Sequence, residues 1–246
     1  MTQITKKIAL VTGGSRGIGA AIVKKLAAEN YAVAFTYVHS HEKAAQLVAD
    51  LEKTGAQALA IKANGENLEE LRKAVDTTAT HFGHINVLVN NAGAALYNTY
   101  ENYTTEEYNL IMSVNVQAPF FIAQAALKYM PDGGRIINIG SCLADIVPWP
   151  GITLYAMSKS ALIGLTKGLA RDLGHRKITV NLVQPGSTNT DMNPADGPNA
   201  DSQRSRMAIP EYGKPENIAS LVAWLAGDDA AFVTGTAMTI DGGANA

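Results

Sequence analysis

Cysteine is almost missing from this chain. Cys142 stands alone among 246 residues, which excludes an intrachain disulfide framework, fits a reducing compartment and implies no structural metal. Long apolar runs are missing too, since none approaches the roughly 18 residues that span a bilayer. The opening Met1-Thr2-Gln3-Ile4-Thr5-Lys6-Lys7 leads straight into Ile8-Ala9-Leu10-Val11 without a cleavage pattern, so an untargeted, soluble, cytoplasmic protein is expected. Neither sign of charge dominates: 20 Lys and Arg against 22 Asp and Glu leave a formal charge of −2. No sequence-wide field therefore draws the chain to nucleic acid or to an anionic membrane, and a small molecule or another protein is the expected partner. Internal repeats, low-complexity tracts and interdomain linkers are absent. With 47% hydrophobic residues there is apolar material for one substantial core, and a single domain over residues 1–246 is expected.

What is present alternates. Short β-branched runs at 7–12, 31–37, 57–62, 86–90, 135–140, 178–184 and 237–240 read as seven strands. Between them, amphipathic stretches at 18–29, 42–54, 68–81, 105–129, 154–173 and 215–226 read as helices, with Gly174 and Gly227 as stop signals. Alternation throughout predicts an α/β fold: a doubly wound, mostly parallel sheet with helices on both faces. Its ligand crevice is expected at the carboxyl ends of the strands. Residues 185–215 break the rhythm with Pro194, Pro198 and Pro210 and with Gly186, Gly197 and Gly213, and a substrate lid is expected at about 187–214.

Directly after the first strand comes Thr12-Gly13-Gly14-Ser15-Arg16-Gly17-Ile18-Gly19, followed by a helix. Glycines there permit a tight turn and let the backbone approach a pyrophosphate at the positive end of that helix, so dinucleotide binding is expected. A second absence selects the dinucleotide. An NAD site normally places Asp or Glu about 20 residues beyond the glycines, whereas the second strand here ends Thr36-Tyr37-Val38-His39-Ser40. Arg16, with Tyr37 and Ser40 as hydroxyl donors, suits a 2′-phosphate, so NADPH is expected over NADH.

Tyr155-Ala156-Met157-Ser158-Lys159 puts a phenol and an ammonium on one helix face. A phenol has a reference pKa near 10, and a nearby cation makes its proton transfer workable at neutral pH. Ser141 follows the strand Ile136-Ile137-Asn138-Ile139-Gly140, which sets its hydroxyl at the predicted ligand-binding edge.

The glycine loop, Asn90-Asn91-Ala92-Gly93, Ser141, Tyr155 with Lys159, and Pro185-Gly186 together resemble the short-chain dehydrogenase/reductase family over residues 8–243. The resemblance implies a Rossmann-like fold and reversible hydride transfer between NADPH and a carbonyl or alcohol carbon. It further implies that Tyr155 is the general acid in carbonyl reduction, that Lys159 lowers its pKa and binds the nicotinamide ribose, and that Ser141 polarises the carbonyl. Asn115, in Ser113-Val114-Asn115-Val116, matches a helix asparagine that supports a water chain from Lys159. Asn91, Ala92 and Gly93 would line the adenine and ribose side with Asn64 at the adenine. Pro185, Gly186, Thr188 and Thr190 would frame the carboxamide and phosphates.

Ala94 to Tyr97, Leu143 to Trp149 and the surroundings of Met192 resemble the family's variable pocket. Leu96, Ile146, Trp149 and Met192 predict a mainly apolar site for a ketone. A broad carbonyl reductase is one reading. A 3-oxoacyl-carrier-protein reductase is another, which needs a basic docking surface such as Lys128, Arg171, His175 and Arg176. A third is non-enzymatic: the run Val183 to Gly186 with Thr190 to Pro198 looks like a subgroup that includes a biofilm-dispersal mediator described as binding cyclic di-GMP. Ser141 and Tyr155 are separated by 13 residues, including Pro148 and Pro150, slightly long for the family. Cys142 is assigned no chemistry, and the pairs His39 with His41 and His81 with His84 lack companions for a metal. Arg204 and Arg206 are candidates to meet an anionic substrate. A dimer or tetramer packed through helices 105–129 and 154–173 is implied by the resemblance.

Overall fold

A computed structural model describes residues 6–246. The expectation of an untargeted N-terminus and the start of the expected domain fall on residues 1–5, outside the described residues. Seven parallel strands form one sheet in the order β3-β2-β1-β4-β5-β6-β7. They are β1 (Ile8–Val11), β2 (Ala32–Tyr37), β3 (Ala58–Lys62), β4 (Val87–Asn90), β5 (Arg135–Ile139), β6 (Thr179–Pro185) and β7 (Ala237–Ile240). All seven expected strands form, and among the described residues no antiparallel pair joins them.

Strand periodicity divides the core into two layers. In β1, Ala9 and Val11 face one layer with α1 (Gly17–Ala28), α2 (His41–Lys53) and α8 (Pro215–Ala226), represented by Ile22, Leu26, Leu47 and Val222. Leu10 faces the other, with α3 (Leu68–Phe82), α5 (Ala118–Ala126) and α6 (Thr153–Leu173), represented by Leu71, Val75, Ile122 and Leu173. Because β1 pairs with β2 on one side and with β4 on the other, the winding reverses there. The helices that follow β1 and β4 consequently pack on opposite faces of the sheet, which opens a crevice at the carboxyl ends of these strands.

Two expectations are corrected. The helix expected over 105–129 is three pieces: α4 (Thr105–Met112), a π-helical turn Ser113–Gln117, and α5. Pro119 has no N–H to return to the Asn115 carbonyl four residues back, and the turn widens. Gly174 caps α6 where the stop was expected, with φ −58°; a 3₁₀ turn follows and the left-handed residue is Lys177, at φ 55°. The irregular stretch after β6 contains a short helix, α7 (Ala200–Arg204). Among the described residues no helix is long and apolar enough to cross a membrane.

Candidate active site

A cavity of about 680 Å³ runs along the carboxyl ends of β1, β2, β4, β5 and β6. Every catalytic or cofactor-binding residue anticipated from the sequence lines it except Asn115.

The first wall is the glycine loop. Gly13 has φ +64°, and its N–H donates to Thr36 Oγ1 at 3.0 Å. A Cβ on Gly19 would lie 2.2 Å from the Gly13 carbonyl oxygen, so any side chain would force the turn open. No side chain caps α1, and Gly17, Ile18 and Gly19 of its first turn line the cavity. Its free N–H groups and positive dipole end are therefore available to an anion. Thr12 Oγ1 accepts the N–H groups of Asn91 and Ala92, both at 3.0 Å. Asn91 Nδ2 donates back to the carbonyls of Thr12 at 2.8 Å and Gly13 at 3.0 Å. The Asn91 amide thus ties the β4 loop to the glycine loop while its residue still lines the cavity.

At the β2 end, Tyr37 shares a 2.9 Å hydrogen bond with His41 Nδ1, so the hydroxyl expected as a free donor already has a partner. Ser40 precedes α2 without capping it, which leaves its hydroxyl available. Asn64 Oδ1 accepts the Glu66 N–H at 3.1 Å and shapes the turn after β3. Arg16 reaches Asp191 at 3.9 Å.

The opposite end holds Ser141, Tyr155 and Lys159. Ser141 Oγ accepts the Leu143 N–H at 3.2 Å, which orients the hydroxyl and leaves its proton to donate. Lys159 is 4% exposed. Its ammonium donates to the Ile139 carbonyl at 3.0 Å and lies 5.8 Å from the centre of the Tyr155 ring. Burial pulls the Lys159 ammonium down to about 8. Burial pushes the Tyr155 phenol above its ordinary value, with the Ser141 hydroxyl partly offsetting this. Desolvation is the largest influence on the phenol, the Ser141 hydroxyl rather than Lys159 is what opposes it, and Tyr155 keeps its proton at neutral pH.

Asn115 sits behind the wall, 1% exposed. Its amide clamps Ala94 from both sides, accepting the N–H and donating to the carbonyl at 2.9 Å each. It also donates to Ser158 Oγ at 2.9 Å, and Ser158 donates to the Tyr155 carbonyl at 2.7 Å. A Cβ on Gly93 would come within 3.3 Å of Lys159 Nζ and 3.5 Å of Asn115 Oδ1, so these two polar groups flank that glycine. Ser158 was not anticipated; its place three residues after Tyr155 in a helix is the sequence signal that points to it.

Beyond Tyr155 the wall is formed by Tyr97, Ile146, Trp149 and Met192. Leu96 is not part of it, and Tyr97 takes that place, its ring 6.5 Å from that of Tyr155. The segment after β6 lines this side with Met192, Asn193, Gln203 and Arg206. Pro185 and Gly186 leave the sheet, Thr188 Oγ1 donates to the Gly186 carbonyl at 3.0 Å, and Thr190 bridges to Asn193. Gln203 of α7 holds Asn193 by a pair of amide hydrogen bonds at 3.0 and 3.2 Å. Arg206 stacks 4.9 Å from the Trp149 ring and donates to the Pro148 carbonyl at 2.9 Å. Arg204 turns away, bound to Asp201, the Ala195 carbonyl and the Tyr212 ring; it does not line the cavity. Burial pushes the Cys142 thiol up to about 11, which leaves it inert as a nucleophile. Among the described residues no group of three His, Cys, Asp or Glu converges as a metal site.

The chain matches, over residues 13–245, a family model described as enoyl-(acyl carrier protein) reductase. It is 43% identical over 98% of each chain to the cyclic-di-GMP-binding biofilm dispersal mediator protein of Escherichia coli. It is 36% identical, over 98% of this chain and 96% of the relative, to the hydroxynaphthalene reductase-like protein Arp2 of Metarhizium brunneum. A short-chain dehydrogenase from Burkholderia cenocepacia, solved in complex with NADP, superimposes with a TM-score of 0.97 at 53% identity over 98% of this chain and 99% of that one.

The burial of Lys159 has a measurable cost. A depressed folded-state pKa means that the penalty is fully present below about 8 and relieved as pH rises toward the unfolded value near 10.4. Lys159→Met is expected to stabilise the protein at pH 7 by on the order of 2 kcal/mol, with the advantage shrinking between about pH 8 and pH 10. Urea unfolding of both proteins across that range checks this; a pH-independent difference would contradict it.

Proposed function

The chain belongs to the short-chain dehydrogenase/reductase family, and on that premise we propose that it reduces a ketone or aldehyde to an alcohol with NADPH. One observation carries the reading: Ser141, Tyr155 and Lys159 converge at one end of the cavity whose other end is the glycine loop and Arg16. The fit to the cofactor rests on the uncapped first turn of α1, the closed approach at Gly19 and the lack of an acid at the end of β2. The Burkholderia relative, solved with NADP, supports the same choice. Glycine-loop and α1 backbone groups with Thr188 and Thr190 hold the phosphates, Arg16 and Ser40 the 2′-phosphate, and Asn64 the adenine.

When bound, the nicotinamide supplies a hydride to the carbonyl carbon. Ser141 donates a hydrogen bond to the carbonyl oxygen. Tyr155, protonated at neutral pH, transfers its proton to that oxygen as the new C–H bond forms, so a carbonyl, a hydride and a proton become an alcohol. Lys159, as an ammonium, stabilises the phenolate left behind and passes a proton back to it. Asn115 positions the Ala94 loop and, through Ser158, the first turn of α6. Tyr97, Ile146, Trp149 and Met192 favour an apolar ketone. The lid is residues 187–214, within one domain.

The regulatory alternative has the E. coli relative's name in its favour. An intact Ser141, Tyr155 and Lys159 set, unnecessary for binding alone, favours chemistry. The carrier-protein reading is weakened because Arg176, one of its four basic candidates, is bound to Asp132 at 3.0 Å and to the Leu127 and Met130 carbonyls. The decisive assay is NADPH oxidation with diketones, cyclic ketones, aldehydes and a 3-oxoacyl thioester. Turnover of at least one ketone is expected, with Tyr155→Phe slower by at least about a thousandfold while it still binds NADPH. Tight NADPH binding with no turnover across the panel, or full activity in Tyr155→Phe, would contradict the reading.

An oligomer is part of the proposal. Tyr108, Phe120 and Met157 are exposed on α4, α5 and α6, the helices expected to pack against a second copy. Light scattering is expected to give a dimer or tetramer, and a monomer at micromolar concentration would overturn this.

A further inference from the structure

Two cations from separate elements converge on one carboxylate oxygen at the cofactor end of the cavity. Lys43, in the first turn of α2, reaches Asp191 Oδ2 at 2.9 Å. Arg16, in the glycine loop, reaches the same oxygen at 3.9 Å. Asp191 belongs to the lid and lines the cavity beside Arg16, Tyr37 and Ser40. Its neighbour Thr190 packs on the glycine loop, where a Cβ on Gly17 would sit 3.4 Å from Thr190 Cγ2.

An oxygen anion held jointly by a guanidinium and an ammonium is also the arrangement that recognises a phosphate. We propose that Asp191 occupies the position of the 2′-phosphate, that Lys43 is a second cation for that phosphate beside Arg16, and that NADP(H) enters by displacing Asp191. The proposal rests on the NADPH reading above. With Asp191 in place the three side chains sum to one positive charge; with it withdrawn they sum to two. Asp191 therefore opposes a dianionic 2′-phosphate and is indifferent to the neutral 2′-hydroxyl of NAD(H).

The exchange is easy because the contacts are weak. The side chains of Arg16, Asp191 and Lys43 are 56, 54 and 60% exposed, so water and salt screen the pairs. Displacement has a second consequence, since Met192 and Asn193 follow Asp191 directly and line the same cavity. Phosphate occupancy at one end thereby moves the start of the lid that covers the other.

Calorimetric titration of NADP⁺ and NAD⁺ into the wild type, Asp191→Asn, Lys43→Gln and the double variant tests this, with thermal unfolding as the folding control. Lys43→Gln is expected to weaken NADP⁺ about tenfold and to leave NAD⁺ within about twofold. Asp191→Asn is expected to tighten NADP⁺ about three- to tenfold with NAD⁺ unchanged, and by less in the Lys43→Gln background. Weaker or unchanged NADP⁺ binding in Asp191→Asn, or equal losses for both cofactors in Lys43→Gln, would overturn the proposal. A wild type that binds NAD⁺ as tightly as NADP⁺ would instead sink the cofactor reading on which it rests.

Discussion

An ammonium ion sealed under the carboxyl edge of a parallel sheet is the constraint around which this site is built. Lys159 has almost no contact with solvent, and an unpartnered charge there would be untenable. The Ile139 carbonyl supplies its hydrogen bond. Gly93 leaves room beside it, because a side chain at that position would press on both Lys159 and Asn115. Asn115 in turn fixes Ala94 and, through Ser158, the turn that carries Tyr155. The same burial that destabilises the ammonium raises the phenol, so one desolvated pocket yields a phenol that keeps its proton beside an ammonium that readily gives one up. That combination serves proton delivery to a carbonyl oxygen in the proposed reaction.

Sheet topology brings the parts together. The winding reverses between β1 and β4, and the Thr12 hydroxyl and Asn91 amide stitch the two loops that emerge there. In the proposed reaction the phosphate-binding half of the site hangs from β1 and β2, and the proton-transfer half from β5 and α6. Residues 187–214, leaving β6, touch both halves: Asp191 meets the glycine-loop side, while Met192 and Arg206 meet the apolar wall. These residues thus join the glycine-loop end of the cavity to its apolar wall.

Much of this was legible in the sequence because the relevant chemistry is local. Seven strands announce themselves by short β-branched runs, the phosphate cradle by glycines between a strand and a helix, and the phenol-ammonium pair by helical spacing. Where contacts join distant residues the sequence was silent. Lys43 and Asp191 lie 148 positions apart, and nothing in either neighbourhood signals the pairing. Tyr97 rather than Leu96 faces the cavity because the irregular segment after β4 has no periodicity from which to read orientation. The Asn115 clamp on Ala94 depends on a widened turn whose cause, Pro119, lies in plain view. Arg204 looked free for a substrate and is instead absorbed by its own loop.

The central claim is that the buried Lys159 ammonium controls proton supply to Tyr155, and the pH dependence of kcat/KM for ketone reduction at saturating NADPH tests it most directly. Activity is expected to hold at neutral pH and fall as pH rises through about 8, where Lys159 loses its proton and with it the charge that stabilises the phenolate. A profile that stays flat to pH 10 would contradict the claim.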